Sequence, residues 1–283
     1  MERKLMIAPS MGCCDLFDME RQVRIIDEKS DFLHMDIKDG VYVPSFGIGP
    51  EFLAALKDKV STPMDAHLMI KHPQQYLETF AKAGAAYITP HTDCIEGDAF
   101  VTINKIKELG CKAGIALNPS VPLETIEYYL PLLDKVTIMI VDAGISGQKV
   151  IEQTYDKIRK LVKIREEKGL DFLIEADGSM NRDVYRPLYE AGADMVVQDH
   201  QHCGIRLMTS KKHGLSWKMS LKASLTKQRE EKTNVKQKRK YRSKTRPSAK
   251  LWLAYQNVVS IRIRIISMLV KWYRWSSTER TFK

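Results

Sequence analysis

Residues 32–40 read Phe-Leu-His-Met-Asp-Ile-Lys-Asp-Gly, a mostly apolar run in which His34 and Asp36 stand two positions apart. Side chains alternate along a strand, so a strand here points both groups to one face, where both can face one ion. His67 stands near the end of a second apolar run (residues 64–70) and Asp177 ends a third (residues 171–177). Two imidazoles and two carboxylates form a nitrogen/oxygen donor set suited to a divalent first-row metal, and the carboxylates are also candidate acid/base groups. Taken singly, each has an ordinary explanation: a histidine satisfied in a core, an aspartate capping a helix. Their recurrence at the ends of several apolar runs points to a shared site. Ser10, His91 and Asn118 end other such runs. Two glycine-containing loops follow late runs, residues 141–148 with Gly144 and Gly147, and residues 175–181 with Gly178. Such loops let backbone N–H groups approach a phosphate, although two glycines after a strand also mark an ordinary turn. Met11, Met69 and Met139 are candidates for lining the same pocket or for filling core.

Eight short apolar runs, at residues 4–10, 31–37, 64–70, 86–91, 111–117, 135–141, 171–177 and 194–197, are predicted strands. Helical patterns fill residues 19–29, 73–83, 97–109, 149–167 and 181–191, several of them closing at glycine. Continuous apolar strands, each followed by a helix, imply a parallel sheet covered by helices. Eight of them in under 200 residues favour a (β/α)8 TIM barrel, an α/β fold whose chemistry sits at the C-terminal ends of the strands. A doubly wound sheet is the competitor, and the absence of G-x-G-x-x-G after the first strand weighs against a dinucleotide site.

Charge divides the chain. Residues 1–199 carry 23 Lys+Arg against 32 Asp+Glu, a net of −9, while residues 200–283 carry 22 against 3, a net of +19. All four tryptophans lie in the second part. The domain reading is therefore a barrel over residues 1–197 and a basic, atypical tail over residues 198–283. Five cysteines without a C-x-x-C pair suggest neither a disulfide framework nor a cysteine zinc site. With no apolar run of signal-peptide or membrane-spanning length, a cytoplasmic location is expected.

Residues 8–10, 34–44, 65–70, 117–124, 136–148 and 175–179, in this order and spacing, resemble the ribulose-phosphate 3-epimerase family, whose members are (β/α)8 barrels that interconvert phosphorylated ketoses epimeric at carbon 3. The resemblance implies that His34, Asp36, His67 and Asp177 hold one divalent ion (Zn, Mn, Fe or Co). It also implies that Asp36 and Asp177 form the acid/base pair that removes and returns the carbon 3 proton through an enediolate. Ser10 and His67 would contact the phosphorylated ketose, and Gly144, Ile145, Ser146, Gly147, Asp177, Gly178 and Ser179 would hold its far end and phosphate. Residues 12–27, 76–89 and 177–181 look more like the D-allulose-6-phosphate branch than the ribulose-5-phosphate branch, which usually has a second glycine where Ser179 stands. The expected reaction is thus D-allulose 6-phosphate to D-fructose 6-phosphate, with D-ribulose 5-phosphate to D-xylulose 5-phosphate as the alternative. The departures are Lys38 in place of the family's Met, Ala143 and Ile145 in place of Pro and Phe in its P-G-F, and Pro90-His91-Thr92 in place of its L-H-P. Lys38 puts a cation beside a dication, which weakens metal binding unless it snorkels outward or pairs with Asp39. Oligomeric state stays open.

After residue 197 the family's phosphate loop, G-[TS]-S-[GA]-[LI]-F, is missing. Joining the third base of each codon to the first two of the next, from Gln198 onward, gives Gly when Gln198 is CAG, then Ser or Pro, Ser or Pro, Ala or Thr, Leu, and Trp or Arg in that place. The tail is accordingly read as an out-of-frame translation that disrupts strand 8 and the last helix, leaves a sheet edge unpaired and weakens phosphate binding. Under the rival reading the tail is a genuine extension on an inactive barrel. Residues 236–250 would then suit RNA or an anionic surface within a solvated, Lys-rich run over residues 227–250, and residues 259–275 would lie on a membrane.

Overall fold

The computed structural model describes residues 4–145, 147–181 and 183–198. Eight parallel strands are present: β1 (Met6–Pro9), β2 (Leu33–Lys38), β3 (Met64–Met69), β4 (Tyr87–Pro90), β5 (Lys112–Leu117), β6 (Lys135–Met139), β7 (Leu173–Asp177) and β8 (Met195–Gln198). They run in the order β1-β8-β7-β6-β5-β4-β3-β2. The ends of that sheet meet, because Ser10 bridges His34 in parallel and the Asp31 amide donates to the Ile7 carbonyl at 3.0 Å. A sheet whose ends meet is a barrel, so the (β/α)8 architecture holds and the doubly wound alternative falls away.

The expectation of an unpaired edge at strand 8 is corrected. β8 pairs with β1 from Met6↔Met195 to Pro9↔Gln198 and with β7 at Glu175↔Met195 and Ala176↔Val196. Four residues suffice because Met195, Val196 and Val197 are apolar and buried, which seats the strand between its neighbours. The last helix and the whole tail expected after Gln198 lie outside the described residues.

Among the described residues six helices accompany the strands: α1 (Met19–Lys29), α2 (Pro50–Leu56), α3 (Leu77–Lys82), α4 (Ala99–Glu108), α5 (Gln153–Lys168) and α6 (Tyr185–Ala191). α1 buries Gln22, Val23 and Ile26, one stripe of an amphipathic helix. α5 stops at Gly169, whose φ of 60° provides the left-handed cap that ends a helix. Periodicity predicts no helix at Pro50–Leu56, since seven residues span barely two turns; the helix forms after Gly49 with proline in its first turn. Between β5 and β6 the chain makes only two 3-10 turns, Leu123–Ile126 and Leu130–Leu132. Lys157 of α5 braces that crossing by donating to the carbonyls of Asn118, Pro119 and Val121 at 3.0, 2.7 and 2.6 Å. Among the described residues no helix is long and apolar enough to cross a membrane.

Alternation along β2 sorts its two faces. Leu33, Met35 and Ile37 join the main apolar cluster, while His34, Asp36 and Lys38 take the opposite face. The same period-two rule places Asp65, His67 and Met69 together on β3, Lys135, Thr137 and Met139 on β6, and Glu175 and Asp177 on β7. The polar members of these sets build the site.

Candidate metal centre

His34, Asp36, His67 and Asp177 converge, each offering one donor atom within 4.8 Å of the others. His34 Nε2 lies 3.4 Å from Asp36 Oδ1, 3.2 Å from His67 Nδ1 and 3.8 Å from Asp177 Oδ2. His67 Nδ1 lies 3.6 Å from Asp36 Oδ1 and 3.3 Å from Asp177 Oδ2. Tetrahedral bonds of about 2.0–2.1 Å put ligand atoms about 3.4 Å apart, so these separations match a four-coordinate cage. Both histidines are fully buried, and Asp177 keeps 9% of its side chain exposed against 19% for Asp36. The donor set therefore fits a divalent ion and leaves its carboxylates open to a cavity.

Electrostatics in the cage follow from burial opposed by ion pairing. Burial alone would lower His34, but Asp36 and Asp65 outweigh it and hold the imidazolium well above the ordinary histidine range. Burial likewise works against charge on His67, and Asp177 and Asp36 raise it. Burial pushes the Asp36 carboxyl up, while hydrogen bonds from His34 and His67 hold it well below the usual carboxylate range. His67 Nε2 sits 2.9 Å from His91 Nε2. Burial, then the neighbouring charge of His67, pushes His91 well below the ordinary range, so it is a neutral imidazole that accepts from His67 Nε2–H and orients the ring.

The cavity above the cage has a volume of about 280 Å³, the scale of a small-ligand site. Ser10, Asp36, Lys38, Met69, Met139, Gly144, Ile145, Asp177, Gly178 and Ser179 line it. Ser10, at the end of β1, donates a short hydrogen bond to Asp36 Oδ2. Ser179 takes a left-handed φ of 44° and donates to the Gln148 carbonyl at 2.6 Å. Gly144, at φ 78°, brings the loop after β6 against Val43, where an added Cβ would meet the Val43 Cβ at 2.3 Å. Gln148 pins the same loop by donating to the carbonyls of Asp142 and Ile145 at 2.7 and 2.8 Å. Gly147 and Met11 do not reach the cavity wall, and His67 lies beneath it, fully buried. Ser146 and the phosphate loop expected after strand 8 lie outside the described residues.

The profile of the ribulose-phosphate 3 epimerase family matches residues 6–201. The chain belongs to that family. Ribulose-phosphate 3-epimerase of Synechocystis sp. is 39% identical over 202 residues, covering 70% of this chain and 86% of that protein. The Bacillus subtilis enzyme of the same name is 37% identical over 193 residues, covering 68% and 88%. Among solved structures, KGPDC from Streptococcus mutans aligns with a TM-score of 0.57 at 11% identity, over 79% of this chain and 98% of that one. The 3-hexulose-6-phosphate synthase from Salmonella typhimurium aligns with a TM-score of 0.56 at 13% identity, over 79% and 99%. At such identities the structures speak to the barrel alone. As an epimerase of this family the chain is an isomerase of carbohydrate phosphates.

Three buried residues of this epimerase barrel escape a reading of strand ends. Asp65 accepts from His34 Nδ1 at 3.1 Å and from the Thr89 hydroxyl at 2.8 Å. Lys135 bridges Asp65 and Glu175, and Thr137 donates to Glu175 Oε1 at 2.7 Å. The period of two puts Asp65 on the strand face of His67 and Glu175 on that of Asp177, but it names no partner for either charge and gives no signal for Lys135.

Proposed function

We propose that this chain is a metal-dependent 3-epimerase whose substrate pair is D-ribulose 5-phosphate and D-xylulose 5-phosphate. The observation that carries it is the convergence of two imidazoles and two partly open carboxylates at one cavity, the carboxylates coming from β2 and β7 with β1 and β8 between them. A divalent ion held by His34, Asp36, His67 and Asp177 would polarise the substrate carbonyl and stabilise the enediolate charge. Asp36 and Asp177 reach the reacting carbon from two sides, one taking the carbon 3 proton and the other returning a proton to the opposite face. Ser10 holds Asp36 in place. An aspartate held as low as Asp36 is a weak base, so the acidity of the carbon 3 proton has to be raised by the charge it faces. Gly144, Ile145, Gly178 and Ser179 line the far wall, where the sugar's remote end would rest.

The preference for D-allulose 6-phosphate yields to ribulose 5-phosphate because the curated relatives bear the ribulose-phosphate name at 37–39% identity. Allulose 6-phosphate stays as the second reading on one observation. Ser179 takes a left-handed φ of 44° where the ribulose branch usually has glycine, and the residue lines the cavity. The test follows exchange of the carbon 3 proton in D2O, with Mn, Zn, Fe or Co added, for Asp36→Asn and Asp177→Asn proteins whose metal content has been measured. Each metal-loaded variant should lose inversion, and each should exchange the proton of only one epimer. Equal exchange of both epimers by either variant would exclude the two-base assignment.

A further inference from the structure

The site has a floor one pleat below its four ligands. Asp65 and Glu175 lie two residues before His67 and Asp177 on the same strand faces, and Lys135 enters from the first residue of β6. All three are fully buried, as are Thr89, Thr137 and His34. Glu175 Oε1 accepts from Lys135 Nζ at 2.8 Å, Asp65 accepts from the same ammonium, and Asp65 Oδ2 accepts from His34 Nδ1 at 3.1 Å. His34, Asp65 and Glu175 thus form a second donor cluster of the kind that gathers a cation. The cation already there is the Lys135 ammonium.

We propose that Lys135 is a positioning residue of the metal centre. Its ammonium fills the lower carboxylate cluster and anchors Asp65 where it fixes the His34 Nδ1–H. This inference rests on the metal-site reading given above.

Three observations lead to it. The chain is committed to a buried lysine with 0% exposure, and such a group is stable only when its charge is compensated. Burial would lower the ammonium, but Asp65 and Glu175 outweigh it and hold Lys135 above the ordinary lysine range. The hydrogen bond from His34 Nδ1 to Asp65 also selects the tautomer whose Nε2 lone pair faces Asp36, His67 and Asp177, since a ring that donates at one nitrogen offers the other to an ion. Gly114 completes the floor: a Cβ there would meet Thr89 Oγ1 at 2.2 Å, so glycine leaves room for the threonine that donates to Asp65. With Lys135 gone, two buried carboxylates would face each other without a cation, and Asp65 would lose its anchor. With Lys135 present, no second ion can enter the lower cluster.

The experiment is a zinc titration of the purified full chain against a chromophoric chelator, with 15N–1H spectra of the histidine rings in the zinc-loaded protein. The wild type should bind one ion per chain and show His34 protonated at Nδ1. Lys135→Met should weaken zinc binding on the order of tenfold or more, the usual scale for losing an outer partner of a histidine ligand, and should lose the protected Nδ1–H signal. Should that variant not fold, Lys135→Met combined with Glu175→Gln removes one charge of each sign and should show the same two losses. A folded variant with wild-type affinity and an intact Nδ1–H would overturn the proposal, as would two ions per wild-type chain. A wild type that binds no zinc at all would instead remove the metal-site reading beneath it.

Discussion

His34 joins the two layers of the site, with Nε2 facing the cage and Nδ1 facing Asp65, and its protonation governs what the cage can hold. In the metal-free protein its pKa is raised, so its contribution to folding is fully present below about 6.5, the unfolded value, and is lost as pH rises through the folded value. A metal must displace that proton. Zinc affinity, measured by chelator competition, should therefore fall by about tenfold per pH unit as pH drops below the raised His34 value, and more steeply once His67, also raised, takes up its proton; a pH-independent affinity would mean that both imidazoles are already neutral. Lys38 shares the strand face of His34 and Asp36 and lines the cavity, with no ion pair among the described residues. Lys38→Met should tighten metal binding on the order of tenfold, the scale of a cation–dication repulsion across several ångströms of a water-filled cavity. Equal affinities would place the ammonium outside the field of the ion. Of these residues His34, Asp36, His67 and Asp177 were legible in the sequence because they stand near or at the ends of apolar runs. Asp65, Lys135 and Glu175 were not, because charges inside apolar runs have no visible partner until the strands are placed side by side.

Loops and strands set how well the residues are held. Gly144 combines a φ of 78° with close packing on Val43, and the Ser45 hydroxyl donates to its carbonyl at 3.0 Å, tying the loop after β6 to the loop after β2. Gly144→Ala should cost about 1–3 kcal/mol in thermal or denaturant unfolding and raise KM more than it lowers kcat, because it displaces the cavity wall and spares the ligands. A larger drop in kcat than in affinity would place Gly144 closer to the chemistry. Strand positions were readable to within a few residues, since eight apolar runs have one simple parallel arrangement. The short α2 was not, and β8 was underestimated: its partner β1 is far away in sequence, and pairing between distant strands leaves no local trace.

At the scale of the molecule, the barrel closes and the family is settled by residues 6–201, while the charge break near residue 198 separates the barrel sequence from the basic tail. We propose that the residues from about Gln198 onward are an out-of-frame translation. Restoring one base near codon 198 should open a longer family-like frame with a Gly-Ser-Ser-type loop, raise the melting temperature and lower KM for the phosphorylated ketose; coding DNA that offers no such frame would refute the proposal. The decisive measurement is NMR of D-ribulose 5-phosphate in D2O with this chain and with its frame-restored form, each supplied with Mn, Zn, Fe or Co. Metal-dependent deuterium incorporation at carbon 3 together with the appearance of D-xylulose 5-phosphate, at least in the restored form, is the expected result. Neither exchange nor epimerisation in the metal-loaded, folded restored protein would contradict the account.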